Sequence, residues 1–168
     1  MNKKIFHILI VLALLIGLAG SLQAAGQPPM GLLVPAEVGF DNLGDQSAGA
    51  IYDGDILTEV DMNKSNSNYL YFNFDTKVKV SSFKVYFKDN PSILLGLEYL
   101  TSDGLWASVP GVSSINNFQL DRGWNRFKIN KTETDMFRLQ LRGLKSGFAG
   151  IGEVEFWGRT SQGVPRLK

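Results

Sequence analysis

Past its first 25 residues the chain reads as all-β, a sandwich or barrel of short antiparallel strands. Three observations predict this. Apolar and polar residues alternate at period 2 in segment after segment, the pattern of a strand with one buried face. No stretch beyond residue 25 holds a helical period of useful length. Clusters of Gly, Asp, Asn and Ser interrupt the apolar runs at short, regular spacing, as strand-joining turns do.

The strands follow in order. Tyr69 to Phe74 is rich in aromatics, with Leu70, Phe72 and Phe74 on one face. Lys77 to Lys88 alternates in two phases: Val78 and Val80 share a face, and Phe83, Val85 and Phe87 share a face. The parity changes at Ser81-Ser82, so a bulge or a strand break there is needed to keep both sets on the core side. Ile93 to Thr101 and Leu105 to Val109 flank Ser102-Asp103-Gly104, a hairpin turn. Phe118 and Leu120 open a further short strand. Trp124, Phe127 and Ile129 follow Arg122-Gly123. Phe137, Leu139 and Leu141 face one way, while Arg138, Gln140 and Arg142 face the other. Ile151 to Trp157 is the last strand, with one of Phe156 and Trp157 in the core and Glu155 in solvent.

The ends read differently. Lys3 and Lys4 precede an apolar run from Ile5 to Leu18, and Ala24 and Ala25 supply small residues for cleavage. This is the pattern of a secretory signal peptide over residues 1–25. The expectation is an exported protein, periplasmic or secreted and of bacterial type, with no membrane insertion after cleavage. Residues 26–46 read as an irregular lead-in, 47–159 as one domain and 160–168 as a polar tail.

Composition removes whole classes of function. The chain has no cysteine, and its one histidine, His7, lies in the signal segment. Ser-His-Asp and Cys-His catalysis and zinc sites built on His and Cys therefore have no residues to work with. Beyond residue 25 stand 15 basic and 16 acidic side chains, a near-neutral balance that gives no electrostatic case for nucleic acid. No phosphate-binding glycine loop leads into a helix; Gly147 to Gly152 precedes a strand. The expectation is that the protein is not an enzyme.

One short segment carries inorganic chemistry. Tyr52-Asp53-Gly54-Asp55-Ile56-Leu57-Thr58 sets two carboxylates and a hydroxyl around a glycine turn. A hard cation that takes several oxygen ligands in loose geometry suits such a loop. The same residues also read as an ordinary Asp-Gly turn, with Thr58 opening a strand.

This segment, taken with Gly147-Phe148-Ala149-Gly150-Ile151-Gly152-Glu153-Val154-Glu155-Phe156-Trp157-Gly158 near the other end, resembles the discoidin family. That family is also known as coagulation factor 5/8 type C or galactose-binding-like domains, and carbohydrate-binding modules of family 32 are its bacterial relatives. The resemblance runs from about Ala50 to Gly158, and Asp103-Gly104-Leu105-Trp106 is similar to the family's recurrent Asp-Gly-x-Trp. It implies a jelly-roll-like antiparallel β-sandwich. It implies a structural Ca²⁺ held by Asp53, Asp55 and Thr58, by Glu153 at the start of the closing strand, and by backbone carbonyls. It implies a sugar-stacking ring at Phe148, flanked by small residues; the other reading of Phe148 is a core side chain. Directional partners for sugar hydroxyls would come from Arg122, Asn125, Lys145, Asn116 and Asn117 on loops, with Tyr52 beside the cation loop. The chain departs from the family in lacking its usual opening segment and a histidine that is a common sugar ligand. The function implied is non-catalytic binding of a carbohydrate or glycoconjugate by loops at one end of the sandwich. The alternative is a structural or adhesion module that docks onto an envelope protein.

Overall fold

The computed structural model describes residues 30–40, 48–60, 67–112, 115, 120–142 and 150–161. Its strands are β1 (Gly31–Leu33), β2 (Glu37–Phe40), β3 (Ser67–Phe87), β4 (Leu94–Leu100), β5 (Trp106–Ser108), β6 (Gly123–Arg142) and β7 (Ile151–Thr160). A 3₁₀ turn spans Ala48–Ile51. Among the described residues no helix is long and apolar enough to cross a membrane.

Hydrogen bonding alone gives one antiparallel sheet in the order β1-β7-β3-β6-β4-β5, with β2 also on β3. Two strands of 21 and 20 residues, β3 and β6, turn that sheet into a sandwich. The first half of β3 pairs with β2 through Leu70–Asn73 and with the second half of β6. β4 and β5 continue that layer. The second half of β3 pairs with the first half of β6 on one side and with β7 on the other. β1 completes that second layer. The crossover lies between Asn73 and Val78, where the β3·β6 register shifts.

Ring contacts between the second layer and residues of β3 and β6 that do not pair with β7 show the two layers facing each other. Phe156 of β7 lies 4.9 Å from Phe72, 5.8 Å from Phe74 and 5.4 Å from Phe137, centroid to centroid. All four rings are buried. Each contributes roughly 1.5–3 kcal/mol through burial alone, which is how a domain without disulfides holds together.

The alternation predicts the core well. Leu70, Phe72, Phe74, Val78, Val80, Phe83, Val85 and Phe87 are all buried. The parity change at Ser81-Ser82 is a bulge: β3 shifts register between Val80 and Ser82 against both β6 and β7. The hairpin forms as predicted, with Leu100 opposite Trp106 and Gly104 at φ 76°, a conformation that favours glycine.

Four expectations are corrected. The lead-in is not irregular throughout, because β1 and β2 lie inside it; at three and four residues they are too short to show alternation. β7 extends through Thr160, one residue into the expected tail. Leu120 is buried but belongs to no strand, and Phe118 lies outside the described residues. Glu155 is not simply solvated. Its Oε2 accepts from Lys84 Nζ at 2.7 Å and from Trp157 Nε1 at 2.7 Å, and its side chain is only one-fifth exposed.

Candidate functional site

The loop 52–58 is built by its own side chains. The Asp55 N–H donates to Asp53 Oδ1 at 2.7 Å, and the Leu57 N–H donates to Asp55 Oδ1 at 2.9 Å. These are turns in which an aspartate mimics a backbone acceptor. Gly54, at φ 83°, makes the reversal between them.

The loop is fastened to the last strand. The Gly54 N–H donates to Glu153 Oε2 at 2.8 Å, a bond between residues 99 apart in sequence. Glu153 is buried even though its side chain leaves the sheet on the outer side, because the loop covers it. A second bulge aims it there: Tyr86 pairs with Glu153 and Phe87 with Ile151, so Gly152 is the extra residue. A Cβ at Gly152 would lie 3.1 Å from the Ile56 carbonyl oxygen and 3.3 Å from that of Thr58, so glycine lets the loop lie against β7. Backbone bonds between Val60 and Ile151, at 2.9 and 3.1 Å, hold the end of the loop. Lys88 Nζ donates to the Leu57 carbonyl at 2.6 Å.

Oxygen atoms crowd around Thr58. Its Oγ1 lies 3.0 Å from the Ala50 carbonyl oxygen, 2.7 Å from that of Asp55, and 3.0 and 3.3 Å from the two Asp53 carboxylate oxygens. A hydroxyl carries one proton and can satisfy one of these four acceptors. The cluster is rich in lone pairs and poor in protons, the donor set that a hard cation organises. The residues present therefore fit Ca²⁺: Asp53, Asp55 and Thr58 with backbone carbonyls would hold it, and Glu153 stands beside the loop. Such an ion would supply positive charge to the oxygen cluster and rigidity to the loop. Among the described residues no three His, Cys, Asp or Glu side chains form a metal-binding group, so any such site draws on carbonyl and hydroxyl oxygens.

The other predicted site residues fall in different places. Arg122 is exposed on the turn before β6, and its N–H donates to Asn90 Oδ1 at 3.1 Å. It shares the sandwich end of the loop 52–58, since Gly123 and Ile151 both pair with Phe87. Tyr52 is half-buried and lines one small hollow with Leu33, Pro35, Glu153 and Val154. Asn125 is buried and points inward. Both N–H bonds of its amide are used within the turn, to the Asp121 carbonyl at 2.7 Å and the Gly123 carbonyl at 3.0 Å, while Oδ1 accepts from the Asp121 N–H at 2.9 Å. That geometry shapes the turn rather than facing a ligand. Phe148, Lys145, Asn116 and Asn117 lie outside the described residues.

Trp124 was not among the predicted ligands, yet among the described residues it is the exposed aromatic at this end, 43% accessible. Its ring meets Tyr86 edge-on at 5.4 Å, and Lys84 Nζ lies 5.1 Å from its centroid. The signal was present in the alternation: Phe127 and Ile129 point inward, so Asn125 does too and Trp124 points out. Leu57, in the loop 52–58, is also largely exposed.

No family model and no curated protein matches the chain. Solved structures match it clearly in fold. The module CpGH89CBM32-6 produced by Clostridium perfringens superposes with a TM-score of 0.61 at 15% identity, over 73% of this chain and 92% of that one. The family 32 carbohydrate-binding module of AlyQ, in complex with 4,5-unsaturated mannuronic acid, gives 0.63 at 15% identity, over 75% and 97%. Chitosan-binding module 1 from a chitosanase/glucanase of Paenibacillus sp. IK-5 gives 0.60 at 14% identity, over 75% and 96%. The chain has the galactose-binding-like sandwich fold of these carbohydrate-binding modules.

Proposed function

We propose that this chain is an exported, non-catalytic carbohydrate-binding module stabilised by Ca²⁺. The observation that carries the reading is the likeness in fold to modules named for carbohydrate binding, spanning nearly their whole length. Two features of the chain support it. The fastening of Gly54 to Glu153 holds a cation loop at one end of the sandwich. The crowded oxygens about Thr58 suit a calcium ion. In this reading the sugar sits at that end, with its apolar face on Phe148 and its hydroxyls on Arg122 and Lys145.

The test is direct binding of the secreted protein to a broad panel of immobilised glycans. Saturable, weak binding to one sugar class is expected, since a shallow site buries little area. Phe148→Ala and Arg122→Ala should each lower that affinity about 10-fold, roughly 1.4 kcal/mol, with the melting temperature nearly unchanged. No binding across the panel, or loss of stability by roughly 3–5 kcal/mol in Phe148→Ala with binding intact, would overturn the reading in favour of a structural module.

A further inference from the structure

The outer face of the second layer carries two tryptophans, one on each side of a single lysine. Trp124 on β6 pairs with Tyr86, and Trp157 on β7 pairs with Ser82, so β3 runs between them. Lys84, on the same face of β3, reaches both. Its Nζ lies 5.1 Å from the Trp124 centroid and 5.0 Å from that of Trp157. Side chains that alternate along three neighbouring strands thus meet in a track that crosses the sheet diagonally.

Both indoles are held in place. Glu155 Oε2 accepts from Lys84 Nζ and from Trp157 Nε1, each at 2.7 Å, which ties the lysine and one indole together. The Lys84 ammonium and Tyr86, edge-on at 5.4 Å, position the other. Trp124 nevertheless stays 43% accessible, and Trp157 is only partly buried. Rings fixed in advance lose little freedom when a ligand covers them.

The surface between the rings decides what covers them. The Lys84–Glu155 ion pair separates the two indoles, and the exposed Arg126 stands opposite Lys84 on β6. A protein interface concentrates its apolar area in a core depleted of charge. Aromatic rings interrupted by charged, hydrogen-bonding groups suit a saccharide instead. Its C–H faces pack on the rings, and its hydroxyls bond to the groups between them.

We propose that this face is a saccharide site separate from the loop end, and that it takes an extended, equatorially linked chain. Such a chain is a ribbon whose flat C–H faces recur along its length, which matches two rings on an open sheet face. An axially linked chain coils and presents no such ribbon. The choice of a saccharide rests on the proposed function, but the face uses neither Arg122 nor the loop 52–58.

The test is calorimetric titration of the protein with cellohexaose and chitohexaose, with the axially linked maltohexaose, and with glucose and N-acetylglucosamine. At least one equatorially linked hexamer is expected to bind about 10-fold more tightly than its own monomer and than maltohexaose. Trp124→Ala and Trp157→Ala should each weaken that hexamer about 10-fold, while Trp124→Tyr, which keeps a ring, should stay within about 3-fold of the wild type. Trp124→Ala should leave the melting temperature nearly unchanged, which separates lost stacking from lost folding. Arg122→Ala should not alter hexamer binding. Hexamer binding that needs Arg122 and is indifferent to Trp124 would overturn the sheet-face site and leave the loop-end reading standing. Hexamer binding that needs Trp124, with no glycan held through Arg122, would support the sheet-face site and remove the loop-end one. Absence of binding by both hexamers, equal binding of maltohexaose, or no effect of either tryptophan substitution would overturn the proposal.

Discussion

Replacing Asp53 by asparagine changes one oxygen to an amide nitrogen, and the loop geometry makes the result opposite in two solutions. Asparagine keeps the Oδ1 that accepts from the Asp55 N–H at 2.7 Å, so the turn survives. Its NH₂ then faces the oxygens around Thr58, two of which stand 3.0 Å or less from Oγ1 with one proton among them. In chelator, Asp53→Asn should therefore equal the wild type or exceed it by about 0.5–1.5 kcal/mol, the worth of one added hydrogen bond. With calcium at about 100 times its dissociation constant, the wild type gains about 2.7 kcal/mol by mass action. For a domain of this size each kcal/mol moves the midpoint by roughly 3–6 °C, so the expected rise is roughly 8–16 °C. The variant has lost a ligand charge and should rise by less than about 2 °C. Scanning calorimetry of both proteins, in EGTA and in calcium, should show their order of stability invert. A plain Asp-Gly turn produces no such inversion. Identical wild-type melting in the two buffers would refute the cation site, and a full calcium rise in Asp53→Asn would refute this carboxylate as a ligand.

Two further outcomes test the scaffold. Gly152→Ala puts a Cβ 3.0 Å from the Tyr86 ring as well as against the loop carbonyls, and should cost about 1–3 kcal/mol in urea denaturation while shrinking the calcium response. Arg138 lies between the rings of Tyr69 and Trp106, 4.1 and 4.2 Å from their centroids, and pairs with Glu98 at 2.6 Å with both side chains mostly buried. Arg138→Ala should cost roughly 2–4 kcal/mol by the same assay, Arg138→Lys should recover little of it, and adding Glu98→Ala should cost less than the sum of the two.

The candidate site was legible unevenly. The contacts among Asp53, Asp55 and Thr58 were visible because an Asp-Gly turn is a local pattern of oxygen-bearing residues around one glycine. The placement of Asn125 was also open to view: the alternation that turns Phe127 and Ile129 inward turns Asn125 with them, and its choice as a ligand weighed residue type above phase. The role of Arg138 was hidden, since alternation gives the side a residue faces and not which rings flank it. Tyr69 and Trp106 reach Arg138 from β3 and β5, which the chain separates by more than a whole strand.

What the amino-acid order determined by itself is the inward face of almost every strand and the position of the bulge at Ser81. The period of a strand is two, and a parity error cannot be absorbed without an extra residue. Only the tertiary structure decided that Tyr69–Phe74 and Lys77–Lys88 form a single strand crossing between layers, and that the short β1 and β2 exist. It also decided that Glu153 meets Gly54 across 99 residues and that β3 backbone lies close against Gly158. Each of these depends on which strand lies beside which. Strand neighbours are chosen by the burial of whole faces against one another, a property of the assembled layers that no local window of sequence contains.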